Sequence, residues 1–505
     1  MDLTASRLIA ELARFWPDHR AVLADLELPA RLSLCLDSRA LAPGDVFLAV
    51  PGVTADGRDF VPAALAAGAA LVLAHDDGAA RGAAAGDPRV LWLPHLRQRL
   101  GELGGALFAV PEALELIGVT GTNGKSSVTH YIAALSRALG RDAGMVGTLG
   151  HGRPGALHQG ALTTPGPLAL QAALGELAGE GVTRVAMEVS SHALEQGRLD
   201  GCRLQAAVFT NLTRDHLDYH GSMTAYAAAK ARLFRRPELE LAVVNADDPL
   251  ARLMLAGLSG GVRVLAVGED EAVTLRVVDT DPYPGGQRAI VATPDGERVL
   301  ELPLMGRFNL TNVLLAMATL YGLGADLEAL FAAAAELGPV PGRMQAVPTE
   351  AGPVVVIDYA HSPDALENAL AALRAHLPGS GRLWCLFGCG GDRDSGKRPL
   401  MAAAAERHAD RLVVTDDNPR GESPAAIREQ ILDGLSAEAR HAAWTRDGRA
   451  AAIRETIREA ADEDVILIAG KGHETYQEIA GVRHAFSDLA EAEAALATRA
   501  AKGTP

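Results

Sequence analysis

The chain of 505 residues carries 47 Lys plus Arg against 63 Asp plus Glu, a formal net charge of −16, which excludes an affinity built on neutralising nucleic-acid phosphates. Its 48% hydrophobic and 22% charged residues exclude disorder for most of the length, and at roughly 100–200 residues per domain the chain predicts about three domains, each able to bury a core. The four cysteines, Cys35, Cys202, Cys385 and Cys389, are too few and too scattered for a disulfide framework and point to the cytoplasm.

The amino-terminal MDLTASRLIAELARF sets Asp2, Arg7, Glu11 and Arg14 where a signal sequence needs an apolar core, so it predicts an amphipathic helix and no export. The longest apolar stretch, Val61 to Ala74, contains Pro62 and Gly68 and falls short of the roughly 18 residues of a membrane helix, so no membrane insertion is expected. DSRALAPGDVFLAVPG reads as turn, strand and turn, and the first 107 residues predict a small α/β domain. From about residue 115, aliphatic runs alternate with Gly-rich or acidic turns and Ala/Leu-rich helical segments, the rhythm of βαβ units. Strands are predicted at Glu115 to Val119, Arg184 to Val189, Ala206 to Thr210 and Leu241 to Asn245, apolar enough for burial on both faces of a parallel sheet. Thr274 to Val299 reads as a β-rich excursion. A second doubly wound unit follows, with strands at Val354 to Ile357, Leu383 to Phe387, Leu412 to Val414 and Val465 to Ile468 and a helix over Pro399 to Ala409. The Pro/Gly-rich Gly338 to Arg343 predicts a hinge, and the cuts fall at 1–107, 108–341 and 342–505. The final ATRAAKGTP is expected to fray.

The strongest local signal is Gly118 to Ser127, GVTGTNGKSS, between a predicted strand and a predicted helix, the context of a P-loop. Gly121 and Gly124 let backbone N–H groups approach phosphate, Lys125 can reach the β and γ phosphates, and the Ser126 hydroxyl can meet Mg²⁺ at the helix N-terminus. Val119 stands where the general motif has its first Gly, so this is a TGxxGKS variant; a Gly-rich turn without ligand is the bland alternative. RVAMEVSSH delivers Glu188 at a strand end, where a metal carboxylate is useful. His216 and His220 in DHLDYH are four apart and could suggest a zinc pair, but no HExxH glutamate or cysteine cluster accompanies them. Lys230, in TAYAAAKARLF, reads by itself as a solvated surface lysine. Three turns after predicted carboxy-terminal strands, CGGDRDSGKRP, TDDNPRGESP and AGKGHE, lie where open α/β sheets bind ligands. Arg393, Arg420, Asp417 and Glu474 would together suit a zwitterion, although each loop alone reads as a solvated turn. Cys385 reads as buried strand and Cys389 as turn, since their spacing is not that of a redox or zinc pair.

TGTNGKSS, EVSSHALEQGR, NLTRDHLDYHGSMTAYAAAK, GRFNLTNVLLA, DYAHSPDALENAL, GCGGDRDSGKRPLM, DNPR and GKGHE, in that order and over essentially the whole chain, resemble the Mur ligase family. The resemblance implies an α/β protein of three domains: a small N-terminal domain for a UDP-sugar, a central P-loop ATPase-like parallel sheet, and a C-terminal Rossmann-like domain for the incoming amino acid. It implies that Gly121, Thr122, Asn123, Gly124, Lys125, Ser126, Ser127 and Asn309 bind ATP. Ser126, Glu188, His216 and Lys230 would hold Mg²⁺, with Lys230 carbamylated by CO₂ to N6-carboxylysine, and Lys125, Lys230 and His216 would serve catalysis. Leu36, Ser38, Val53, Thr54, Ala55, Thr163, Thr164, Ser190, Gln196 and Arg198 would meet UDP-MurNAc-L-Ala-D-Glu. The DNPR sequence implies meso-diaminopimelate as the amino acid, in a pocket of Arg393, Asp417, Asn418, Pro419, Arg420, Gly470 and Glu474. Arg420 would pair with the distal carboxylate that diaminopimelate has and lysine lacks. ATP would phosphorylate the D-glutamate γ-carboxylate, and domain closure about the hinge would exclude water. A cytoplasmic monomer serving peptidoglycan synthesis is expected; a folylpolyglutamate synthetase-like ligase and a non-enzymatic P-loop nucleotide switch are the rival readings.

Overall fold

The computed structural model describes residues 3–53, 55–78, 86–160, 162–349, 352–377 and 379–503. The chain forms two compact units. One runs up to Lys125 and takes in Ile132–Val244 and Asp248–Val264; the other comprises Ser126–Tyr131, Asn245–Asp247 and the chain from Leu265.

The first unit begins with a parallel sheet of β1 (Leu34–Cys35), β2 (Val46–Ala49), β3 (Leu71–Asp76) and β4 (Val90–Pro94), in that order. Both faces are covered. Leu48, Leu73 and Leu93 pack with Leu8 and Leu12 of the amphipathic helix Ala5–Phe15, while Phe47, Val72 and Ala74 face the opposite way onto Val61 and Ala64. The same unit holds β5 (Glu115–Thr120), β6 (Ala143–Gly147), β7 (Gly150–Arg153), β8 (Ala156–His158), β9 (Arg184–Glu188), β10 (Leu204–Phe209) and β11 (Leu241–Asn245), ordered β8-β7-β6-β9-β5-β10-β11. From β6 to β11 the pairing is parallel, and the hairpins β6-β7 and β7-β8 are antiparallel. The order places the ends of β9, β5 and β10 side by side, so three chain-distant loops meet at one edge. The strand predicted over Ala206 to Thr210 begins two residues earlier, because a register shift between Leu204 and Ala206 lets Leu204 pair with β5 as well.

From Leu265, the second unit takes up the rest of β12 (Arg263–Gly268) and the β-rich excursion of β13 (Leu275–Tyr283), β14 (Gly286–Thr293) and β15 (Gly296–Leu302), followed by the helix Arg307–Gly322. Its other sheet comprises β16 (Gln345–Ala346), β17 (Val354–Asp358), β18 (Leu383–Phe387), β19 (Arg411–Val414), β20 (Trp444–Thr445) and β21 (Val465–Ala469), ordered β16-β17-β21-β18-β19-β20. All but the β16-β17 pair are parallel. Cys385, Phe387 and Leu467 enter one buried cluster, and Trp384, Leu386 and Ile468 enter another on the opposite face. This is the double burial that continuous apolar strands predict. Within the tail expected to fray, residues up to Gly503 continue the helix Asp488–Gly503, whose Ala492 and Leu496 pack into the second of these clusters, and Thr504 and Pro505 lie outside the described residues.

Gly101, in the helix Leu96–Leu107, packs against the turn at Asp200–Gly201: a Cβ there would lie 1.6 Å from the Asp200 carbonyl oxygen. The obstacle is backbone, so Gly101→Ala is expected to destabilise this unit by about 1–3 kcal/mol. Urea unfolding followed by fluorescence, to which the buried Trp16 contributes, should show a lower midpoint, and an unchanged midpoint would contradict the packing.

Candidate functional site

The loop after β5 is held from the neighbouring strand β10. Thr122 N donates to Asn211 O at 2.8 Å, Asn123 N to Asn211 Oδ1 at 3.0 Å, and Thr210 Oγ1 to Asn123 O at 2.5 Å. A Cβ at Gly121 would sit 1.9 Å from Thr210 Oγ1, and Gly124 has φ 84°, so both glycines are required where the chain turns into the helix Lys125–Ala138. Lys125 Nζ bridges the carbonyls of Gly121 (2.9 Å) and Thr122 (2.8 Å), at the mouth of the loop. Ser126 and Ser127 are buried in the first turn.

Lys230 corrects the surface reading that its helix suggested. The residue is 1% exposed, its Nζ donates to Gly121 O at 2.8 Å, and it lies 4.6 Å from the Tyr226 ring centroid. Burial, then repulsion from Lys125, holds its amine well below the usual lysine range. Tyr226 Oη is 3.2 Å from Thr122 Oγ1, and its ring is 6.2 Å from that of His216. His216 does not share a helix face with His220: it caps the helix Leu217–His220 with φ 53°, half-exposed beside His192. The buried His220 instead meets Ser191 Oγ at 2.9 Å and Glu195 at 3.3 Å. Among the described residues no group of three or more His, Cys, Asp or Glu side chains is placed to hold a metal ion.

Glu188, 1% exposed at the end of β9, takes Thr148 N at 2.8 Å and Thr148 Oγ1 at 3.2 Å; the latter also contacts Thr163 Oγ1 at 3.0 Å. Thr164 Oγ1 donates to Glu188 O and receives Ser190 N, while its carbonyl takes Arg198 Nη1 at 2.7 Å. Arg198 also grips Gln196 Oε1. Thr163, Thr164, Glu188, Ser190, Gln196 and Arg198 therefore form one connected group. Leu36, Ser38, Val53 and Ala55 stand apart from these bonds, in the loops that follow the neighbouring parallel strands β1 and β2; Thr54 lies outside the described residues. Asn309 is buried on Arg307–Gly322, with Nδ2 donating to Met305 O at 2.8 Å.

The carboxy-terminal turns follow β18, β19 and β21, which are adjacent in the sheet. Gly391 N donates to Asn418 O at 2.9 Å, and Arg420 Nη1 to Gly391 O at 2.8 Å. The site of a Gly390 Cβ would be 2.8 Å from Arg420 Nη1 and 3.8 Å from Arg393 Cγ, which puts both guanidinium-bearing side chains beside one glycine. Arg393 is exposed. Asn418 Nδ2 donates to Glu474 Oε2 at 2.9 Å, and Asp417, 7% exposed, lies with Oδ2 3.1 Å from where a Gly470 Cβ would be. Pro419 is buried, and Glu422 N donates to its carbonyl at 3.0 Å. Cys385 and Cys389 are both buried, so the turn cysteine is not a solvent-facing thiol. Of the seven non-glycine residues with positive φ among those described, His216, Asp392 and Arg420 (53°, 54° and 50°) fall in these loops, the strain expected of sites fixed by their surroundings.

Three residues escaped the sequence reading. Arg343, taken as part of a hinge, donates from Nη2 to Ser126 Oγ at 3.4 Å and stacks 4.5 Å over Tyr359. Asn211 and Lys471 stood inside quoted motifs, and only the fold gives them partners.

Three family models match in order: "Mur ligase family, catalytic domain" over residues 33–106, "Mur ligase middle domain" over 119–320 and "Mur ligase, glutamate ligase domain" over 342–472. The chain is 50% identical over 475 residues to the UDP-N-acetylmuramoyl-L-alanyl-D-glutamate--2,6-diaminopimelate ligase of Pseudomonas aeruginosa, covering 92% of this chain and 94% of that protein. A solved structure bearing the same enzyme name superposes with TM-score 0.68 at 38% identity, covering 93% of this chain and 95% of that one. A folylpolyglutamate synthase of Mycobacterium tuberculosis shares the fold, with TM-score 0.59 and 21% identity over 80% of this chain and 94% of that one.

Proposed function

The chain belongs to the Mur ligase family, and from that premise we propose that it joins meso-2,6-diaminopimelate to the γ-carboxylate of D-glutamate in UDP-MurNAc-L-Ala-D-Glu. ATP drives the ligation, which is a cytoplasmic step of peptidoglycan precursor synthesis. The relative named for this reaction at 50% identity supports it, and the observation that carries the choice of amino acid is Arg420 beside Arg393 in the DNPR loop. No helix among the described residues is long and apolar enough to cross a membrane. We place the domain boundaries near residues 108 and 341, in keeping with the segments that the family models match.

Forming an amide from a carboxylate in water requires a leaving group on the acyl carbon. The glutamate carboxylate attacks the γ-phosphorus, ADP leaves, and an acyl phosphate forms. The neutral amine of diaminopimelate then adds to the carbonyl, and collapse of the tetrahedral adduct expels phosphate and leaves the amide. Lys125 and the N–H groups of Gly121 to Ser127 stabilise charge on the phosphoryl group, and Asn309 lies with the adenine. Leu36, Ser38 and Val53 to Ala55 take the UDP end, while Thr163, Thr164, Ser190, Gln196 and Arg198 hold the sugar dipeptide. In the acceptor pocket Arg393 and Arg420 take the distal carboxylate, and Asp417, Asn418, Pro419, Gly470 and Glu474 shape the remainder.

Mg²⁺ would be held by the buried Glu188 carboxylate, the Ser126 hydroxyl, the half-exposed His216 imidazole and the Lys230 carbamate, a set whose oxygens suit a hard cation. Bound there, the ion would neutralise charge between the phosphates and the reacting carboxylate. The neutral amine is the form that attacks CO₂, giving a carbamate and releasing a proton, and the burial that lowers the Lys230 pKa favours that form, so Lys230 would become an oxygen donor. Protein equilibrated with carbon-13 bicarbonate should show one carbamate carbon resonance that disappears in Lys230→Arg, and Lys230→Ala should lose at least about 100-fold in kcat. Full activity in Lys230→Ala without added carboxylate would contradict this role.

The reading as a whole is tested by phosphate release from ATP with UDP-MurNAc-L-Ala-D-Glu and either meso-diaminopimelate, L-lysine or no amino acid. Release with diaminopimelate alone is expected, and Arg420→Ala should lower kcat/KM for diaminopimelate about 100-fold or more because the distal carboxylate loses its partner. Lysine-dependent release alone would refute the acceptor, and no stimulation by either amino acid would refute the ligase.

A further inference from the structure

We propose that Lys471 is a positioning residue for the acceptor amino acid, fixing Asn418 and Glu474 in the arrangement that receives it; this rests on the function assigned above. Lys471 is fully buried, two residues past the end of β21. Its Nζ lies 3.0 Å from Asn418 Oδ1, 2.9 Å from Glu474 Oε2 and 3.6 Å from Asp417 Oδ1. Two hydrogen bonds and one longer ionic contact of a single amine thus tie the DNPR loop after β19 to the turn after β21.

Each bond settles the orientation of a neighbour. Asn418 Oδ1 accepts from Lys471 and also from Glu478 N at 3.0 Å, so its amide nitrogen must face Glu474, to which it donates at 2.9 Å. Glu474 spends Oε2 on Lys471 and Asn418, and Oε1 takes part in neither bond. Asp417 Oδ1 is buried and makes no hydrogen bond, an acceptor kept beside the fixed pair. Without the amine, Asp417 and Glu474 would lose their directly bonded cation and keep only Arg449, which is already paired with Asp488, so nothing would hold the two carboxylates and Asn418 in register. Lys471 is too deep to touch the ligand and acts through these neighbours.

Steady-state kinetics of Lys471→Met with each substrate varied in turn test the role. The diaminopimelate KM should rise about tenfold or more while those for ATP and the UDP-sugar dipeptide stay within about twofold. Lys471→Met/Glu474→Gln should lose little more than the worse single variant, because the two act as a unit. Lys471→Gln, which keeps an NH₂ group able to donate, should recover part of the diaminopimelate KM, and it carries the test if the Met variant does not fold. A wild-type diaminopimelate KM in either folded variant, equal rises in all three KM values, or additive losses would overturn the proposal. Wild-type protein without diaminopimelate-dependent turnover would overturn the assigned function and this role with it.

Discussion

One backbone carbonyl, that of Gly121, accepts from two lysines: Lys125 at 2.9 Å and Lys230 at 2.8 Å. Two ammonium groups so close repel each other, and only one of them is at the open mouth of the loop. The buried member is therefore the one driven toward the neutral amine, and a neutral amine is what CO₂ requires. The arrangement depends on the strand order. Because β9, β5 and β10 are neighbours, Glu188, the phosphate loop and Asn211 are delivered to one edge, while Tyr226 links Thr122, Lys230 and His216 over that edge.

The pocket proposed for the incoming amino acid uses the same device with opposite polarity. There a buried cation, Lys471, is surrounded by carboxylates and an amide, and Arg449 nearby is wholly buried against Asp488 at 2.7 Å. Arg449 Nη2 also donates to Ala469 O and Nη1 to Asp416 O, which ties the ends of β21 and β19 together. Buried ion pairs of this kind add little net stability over an apolar filling, yet removing one partner is costly. Their value here is geometric: they hold the turns after β19 and β21 at a fixed separation, as the proposed selection between diaminopimelate and lysine requires.

Much of this was legible because it is local. The phosphate loop is a run of consecutive residues between a strand and a helix, and the parallel strands announce themselves as apolar runs because both of their faces are covered. The Mur-like motifs then named most of the side chains that the fold gathers. What the residues could not show by themselves is contact across long separations. Lys230 sits in an Ala-rich helix with no polar stripe to mark burial, and its partner is 109 residues away. Lys471 and Asn418 are 53 apart, and Arg449 meets Asp488 at a separation of 39. Arg343 was hidden by the Pro/Gly character of its surroundings, which signals a bend and says nothing of where a long side chain ends.

The most direct test follows the oxygen atoms. The glutamate γ-carboxylate of UDP-MurNAc-L-Ala-D-Glu, labelled with heavy oxygen, is incubated with the protein, ATP and meso-diaminopimelate, and the released phosphate is weighed by mass spectrometry. An acyl phosphate intermediate predicts that each phosphate released carries one labelled oxygen, at a rate equal to that of amide formation. Unlabelled phosphate would mean that water and not the carboxylate attacks ATP, and the account of a ligase would fail.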